Sequence, residues 1–171
     1  MIRAKRILAA LAMAMGAGPL AASADTTAEA GIAAFAQNCF SPFLTAARAA
    51  DVLPKGYDFY DLRPFRSSNP ISEPKGRPAT PGTDRRCEVT VPGRQVEAAK
   101  AAIAGALTRE GITQDTAVPD SFATRPGATF VAARQLNPRR VAVVQVGTTQ
   151  TTAGPATFLN VERLTPSVPS N

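Results

Sequence analysis

The sequence predicts an α+β domain with one small sheet of four or five mostly antiparallel strands, helices packed on one face and a single disulfide. Residues 26–50 and 95–109 have apolar side chains at helical spacing, which predicts the helices. Three closely linked strand patterns occupy the last third of the chain. Consecutive strands with short connections pair antiparallel, so this arrangement favours the α+β class.

Capping residues and apolar spacing locate the helices. Thr26-Thr27-Ala28-Glu29 forms a capping box at the start of the first helix. Ser41-Pro42 predicts the start of a second, short helix, because serine caps and proline is tolerated at the first helical position. Residues 95–109 form the clearest amphipathic helix, and Gly111 stands where a glycine commonly ends one.

Alternation of apolar and polar residues locates the strands. The segment 113–127 contains two prolines and is predicted to be a loop. Val141 to Val144 is apolar on both faces, which predicts a central strand. The predicted strands are residues 57–62, 87–92, 129–136, 141–146 and 157–164.

The first 24 residues have the pattern of a cleavable signal peptide. Arg3, Lys5 and Arg6 precede an apolar run over residues 7–15, and Ala22-Ser23-Ala24 supplies the small residues that signal peptidase accepts. We therefore expect residues 25–171 to form one exported domain, located in the periplasm or outside the cell. After cleavage no apolar stretch is long enough to span a membrane, so a transmembrane segment is not expected.

Composition excludes several classes of site. The chain has no histidine, so Ser-His-Asp catalysis, His-ligated zinc and His-ligated haem are excluded. Two cysteines are too few for a four-cysteine metal site, and we expect neither a metal nor a cofactor. Removing the three cations before the apolar run leaves 16 cations against 13 anions, a balance that does not favour a nucleic-acid partner.

The two cysteines predict a disulfide. Cys39 and Cys87 are the only cysteines, and both follow the predicted cleavage site. An even cysteine count in an exported chain is typical of a structural bridge. A redox-active pair is disfavoured because the chain has no Cys-x-x-Cys motif.

Residues 63–86 differ physically from the rest of the chain. This segment shows neither helical nor strand periodicity, and it contains five prolines and two glycines. Its six cations stand against two anions, Glu73 and Asp84. Long loops in small domains are often functional, and arginine suits carboxylate or phosphate groups. The predicted contacts to an anionic envelope component or a protein partner are Arg63, Arg66, Arg77, Arg85 and Arg86.

The sequence thus predicts a non-enzymatic binding or cell-envelope accessory protein that uses this basic loop; a solvated loop without a partner stays open. One alternative is a small histidine-free hydrolase or transferase that uses aspartate and arginine. Asp58 and Asp61 do not form its carboxylate pair, because residues three apart on a strand point to opposite faces. The other alternative is a protease-inhibitor-like loop, extended and exposed near residues 67–74.

Overall fold

Six antiparallel strands and three helices make up the part of the chain that the structure, a computed structural model, describes: residues 20–63 and 70–165. The strand order across the sheet is β1-β2-β6-β5-β4-β3, and every neighbouring pair is antiparallel. In chain order the elements are α1 (Leu20–Asn38), α2 (Ala46–Val52), β1 (Asp58–Asp61), β2 (Thr83–Pro92), α3 (Val96–Arg109), β3 (Asp115–Thr116), β4 (Ala128–Asn137), β5 (Arg140–Thr151) and β6 (Gly154–Leu164).

The main core lies between one face of the sheet and the helices, as the sequence predicts. Strands β2, β5 and β6 supply alternate buried residues to this face, and α1 and α3 cover them with Ile32, Phe35 and Ile103. Gly31 lets α1 approach the sheet closely, since a Cβ there would lie 2.5 Å from Val91 Cγ1. Of the helices described, none combines the length and hydropathy required to cross a membrane.

The predicted bounds agree with the structure for α3, but the predicted starts of α1 and α2 are wrong. Helix α3 covers Val96–Arg109 of the predicted residues 95–109, and the chain leaves it through Gly111, which adopts a φ of 71° while Ile112 N–H donates to the Leu107 carbonyl. Helix α1 begins at Leu20, before the predicted cap at Thr26, because the alanine-rich residues before Thr26 also favour a helix. Helix α2 begins after Thr45, whose side chain accepts a hydrogen bond from Arg48 N–H, and Ser41 caps a turn instead.

The prediction of four or five strands is wrong, because the sheet has six within the described residues. The five predicted strands are present, and the extra one is β3, which pairs with Arg134 and Ala133 of β4. Two residues are too few to show alternation, so the loop predicted over residues 113–127 conceals it. Strand β2 also begins at Thr83, so the last four residues of the predicted 63–86 loop are strand.

The opposite face of the sheet is covered by irregular segments. Residues 77–82 and 119–127 pack over it, and Phe122 joins a small apolar cluster with Ala133 and Val143. Near this cluster Gly147 passes so close to Gly127 that an added methyl group would overlap the Gly127 carbonyl and lie 2.6 Å from Phe158 Cζ.

The predicted disulfide is present. Cys39, directly after α1, is bonded to Cys87 in the middle of β2, with Cα atoms 5.5 Å apart. The bridge ties the C-terminal end of α1 to the sheet and indicates an oxidising environment. Of the segments predicted at the sequence level, residues 1–19, the first part of the proposed signal peptide, lie outside the described residues, as do residues 64–69 of the basic loop.

We predict that Cys39→Ala/Cys87→Ala lowers the free energy of unfolding by about 2–4 kcal/mol, because the bridge closes a loop over a sequence separation of 48 residues. Urea unfolding followed by circular dichroism measures the loss. Wild-type protein with reducing agent serves as the comparison and should show the same loss. Equal stability of oxidised wild type and double variant would contradict the assignment of a stabilising bridge.

We predict that Gly147→Ala destabilises the fold by about 1–3 kcal/mol, because the new methyl group has no space between Gly127 and Phe158. Gly105→Ala is the matched control. Gly105 lies inside α3, and a Cβ added there would meet no atom within 4 Å, so alanine should stabilise the helix by up to about 1 kcal/mol. Thermal unfolding of both variants checks the pair, and equal melting temperatures would refute the packing argument.

Candidate functional site

A row of charged side chains crosses the helix-facing side of the sheet at one end. In register across β1, β2 and β6 the charged residues are Asp61, Arg85 and Arg163, and Ala142 of β5 stands next to Arg163. The next row inward, two residues along each strand and roughly 7 Å away, is apolar and includes Phe59, Cys87, Val161 and Val144. The face therefore changes from apolar to charged within one row of side chains.

Asp61 holds two arginines of this row. It is fully buried, and its Oδ1 accepts a hydrogen bond of 3.0 Å from Arg163 while Oδ2 lies 3.6 Å from Nη1 of Arg85. Arg85 also donates to the carbonyls of Ser41 and Leu44, at 2.8 and 3.3 Å. Burial lowers the pKa of Arg85 to about 10, although Asp61 counteracts this shift, so Arg85 is a cation at neutral pH.

Asp84 links a third arginine to the row. The register of β2 shifts between Thr83 and Arg85, and the Asp84 carboxylate reaches Nε of Arg163 at 2.9 Å and Nη2 of Arg140 at 3.1 Å. Arg163 also donates to the Arg63 carbonyl at 2.9 Å. Arg163 is thus held in place through its Nε and Nη2 atoms.

Two arginines at the outer edge of the row keep unused donors. Within the described part of the chain, Nη2 to Asp84 is the one ion pair of Arg140, whose side chain is a quarter exposed. Arg63 is exposed, and its guanidinium has no carboxylate partner among the described residues. These two side chains are available to a ligand without breaking the internal pairs of Arg85 and Arg163.

A cavity of about 560 Å³ opens between this end of the sheet and the C-terminal ends of α1 and α3. This volume lies within the range of small-molecule sites. Arg63, Arg85, Arg140 and Arg163 line it together with Asn137 and Glu110. The rest of the lining consists of the disulfide and apolar side chains: Phe40, Pro42, Ile112, Leu136, Ala142 and Val161.

The charges around the cavity do not balance. Four arginines line it, whereas Asp61 and Asp84, the partners of Arg85, Arg140 and Arg163, stand outside its lining. Glu110 lines the cavity but lies 3.9 Å from Arg109, which compensates it. The C-terminal ends of α1 and α3 contribute roughly half a negative charge each, which leaves the cavity positive.

A second charged cluster lies on the opposite face of the sheet, and it is balanced. Arg86 is fully buried, pairs with Asp58 at 2.6 Å and lies over the Tyr60 ring at 4.7 Å. Burial raises the pKa of Tyr60, whose hydroxyl is hydrogen-bonded to Thr83 Oγ1 at 2.7 Å. The cluster contains three cations and three anions: Arg77, Arg86, Arg125, Asp58, Glu88 and Glu162.

This balanced cluster attaches the covering loops to the sheet. Arg77 reaches Glu88 at 3.0 Å and Glu162 at 3.5 Å, and Arg125 pairs with Glu88 from the other loop. Arg86 donates to the carbonyls of Arg77 and Pro78. Terminal nitrogens of all three arginines donate to protein acceptors, which is the arrangement of a structural network.

The five arginines predicted from the sequence separate in the structure. Arg63 and Arg85 line the cavity, whereas Arg77 and Arg86 belong to the balanced cluster on the other face, and Arg66 lies outside the described residues. Asp58 and Asp61 point to opposite faces, as expected, and pair with different arginines.

The sequence reasoning missed Arg140 and Arg163 as site residues. The predicted strands 141–146 and 157–164 and the turn between them already indicate this placement, because a hairpin centred on residues 151–154 places Val141 opposite Leu164. Arg140, which precedes Val141, and Arg163, which pairs with Ala142, then fall at the same end of the sheet.

No three potential metal-ligating side chains come together within residues 20–63 and 70–165. The chain matches no protein-family model, no curated protein and no solved structure. Assignment of a function therefore depends on the geometry of the two charged clusters.

We predict that Arg86→Met costs about 3–5 kcal/mol of stability, because it leaves the buried end of Asp58 without its partner. Urea unfolding measures the loss, with exposed Arg94→Met as the matched control. Adding Asp58→Leu should recover part of the loss, since the unpaired carboxylate is then removed. A variant as stable as Arg94→Met would contradict the structural role.

Proposed function

We propose that this chain is an exported, non-enzymatic binding protein of the periplasm or cell exterior, which takes up an anionic ligand in the cavity beside Cys39–Cys87. The disulfide supports an oxidising location. The signal peptide predicted over residues 1–24 points to the same route.

One observation carries the binding proposal: the cations around the cavity outnumber the carboxylates. Asp61 and Asp84 offset two of the four positive charges; among the described residues no carboxylate pairs with Arg63, and Arg140 pairs with Asp84 alone. A planar guanidinium with free N–H groups binds carboxylate or phosphate oxygens through charge-assisted hydrogen bonds. The balanced cluster on the opposite face offers no such surplus.

The proposed site differs from the one predicted from the sequence, because it lies at the cavity and not along the whole 63–86 loop. Arg77 and Arg86 are engaged by protein carboxylates and carbonyls, so binding through the 63–86 loop as a whole is replaced by binding at its start and end. Arg63 and Arg85 are shared by both interpretations.

We predict that inorganic pyrophosphate shifts the backbone amide NMR signals of Arg63, Arg140 and their neighbours. Arg63→Gln/Arg140→Gln should weaken binding at least about tenfold, because each lost charge-assisted hydrogen bond is worth about 1.5–3 kcal/mol. Arg94→Gln removes an exposed arginine outside the cavity and should leave the affinity unchanged.

A variant that should raise the affinity for pyrophosphate complements this test. Glu110→Gln removes the carboxylate that lines the cavity and should tighten pyrophosphate binding about two- to fivefold. Shifts spread evenly over the surface, or a double variant that binds like wild type, would refute the proposed site.

A further inference from the structure

The apolar side chains that line the cavity indicate which class of anion it binds. A site for a small inorganic anion requires only donors, whereas this cavity continues from its arginines onto apolar side chains and a disulfide. The continuity follows from the register, because Cys87 and Val161 occupy the row directly inward from Arg85 and Arg163. The cavity therefore changes from a polar half to an apolar half along the direction of the strands.

We propose, on the basis of the proposed anion-binding function, that the ligand is a single-chain amphiphilic anion, with its head group at Arg63 and Arg140 and its aliphatic chain along the disulfide, Phe40 and Leu136. Burying apolar surface of a ligand is favourable by about 0.8 kcal/mol per CH₂ group. The half-buried apolar side chains of the lining, Pro42, Ile112 and Leu136, would lose further water contact to an aliphatic chain but not to a fully polar ligand.

The shape of the charge distribution agrees with a single head group. Asp61 and backbone carbonyls hold Arg85 and Arg163 in the wall, so the two arginines most accessible to a ligand, Arg63 and Arg140, lie together at the outer edge. Glu110 and Ile112 follow the end of α3 on the opposite side. A second anionic group deeper in the cavity would face apolar side chains, which disfavours a dianionic ligand with charges at both ends.

The test is a chain-length series measured by isothermal titration calorimetry. Butanoate, hexanoate and octanoate share one carboxylate and differ by two methylene groups per step. Affinity should rise about tenfold per step while the chain extends along the apolar wall. Octan-1-ol and octylammonium have the same chain without the negative charge, and each should bind at least about tenfold more weakly than octanoate.

A variant on each half of the cavity separates the two proposals. Leu136→Asn, at a half-buried position, should lower octanoate affinity about tenfold and leave pyrophosphate binding unchanged. Val118→Asn is the matched control, since Val118 is an exposed apolar residue outside the cavity. Thermal unfolding verifies that both variants are folded.

The outcomes are distinct. If affinity is flat along the series but pyrophosphate binding depends on Arg63 and Arg140, the amphiphile inference is wrong and the anion site stands. If octan-1-ol binds as tightly as octanoate and the arginine variants have no effect, the anion-binding function is wrong.

A last arm separates a free amphiphile from the head groups of a membrane. Sedimentation with phosphatidylglycerol vesicles should leave the protein in the supernatant, and binding to vesicles without binding to octanoate would overturn the inference.

Discussion

The structure depends on the ion pairs that Asp61 makes at the end of the sheet. A carboxylate and two arginines cannot be buried beside an apolar core unless each charge has a partner, and Asp61 supplies that partner to Arg85 and Arg163. These pairs cross from β1 to β2 and β6, so they also fix which residues of the three strands lie side by side. The disulfide then attaches the end of α1 to the adjacent row, at Cys87.

The buried charges on the two faces of the sheet differ in their balance of arginines and carboxylates. On the loop-covered face, three arginines meet three carboxylates and the charges balance. On the helix-covered face, arginines exceed carboxylates and the excess borders a cavity with an apolar wall. Stability alone accounts for the first arrangement. The second leaves favourable charge interactions unmade, and a bound anion would complete them.

Much of the fold could be predicted from local patterns. Alternation and turn residues located five strands, the glycine at position 111 located the end of α3, and cysteine count predicted the bridge. Strand β3 was missed because two residues carry no periodicity, and Thr83–Arg86 was missed as strand because consecutive charges imitate a solvated loop. Those charges are buried by partners from distant segments, such as Asp58 for Arg86, which no local pattern shows. The cavity has the same origin, since Arg140 and Arg163 meet only through the hairpin register.

A crystal structure of the oxidised protein grown with ω-bromooctanoate tests the central claim most directly, because the bromine and the carboxylate mark both ends of the ligand. The account predicts the carboxylate within hydrogen-bond distance of Arg63 or Arg140 and the bromine beside the Cys39–Cys87 wall. A ligand bound elsewhere, or a cavity filled by side chains with all four arginines closed onto protein carboxylates, would contradict it.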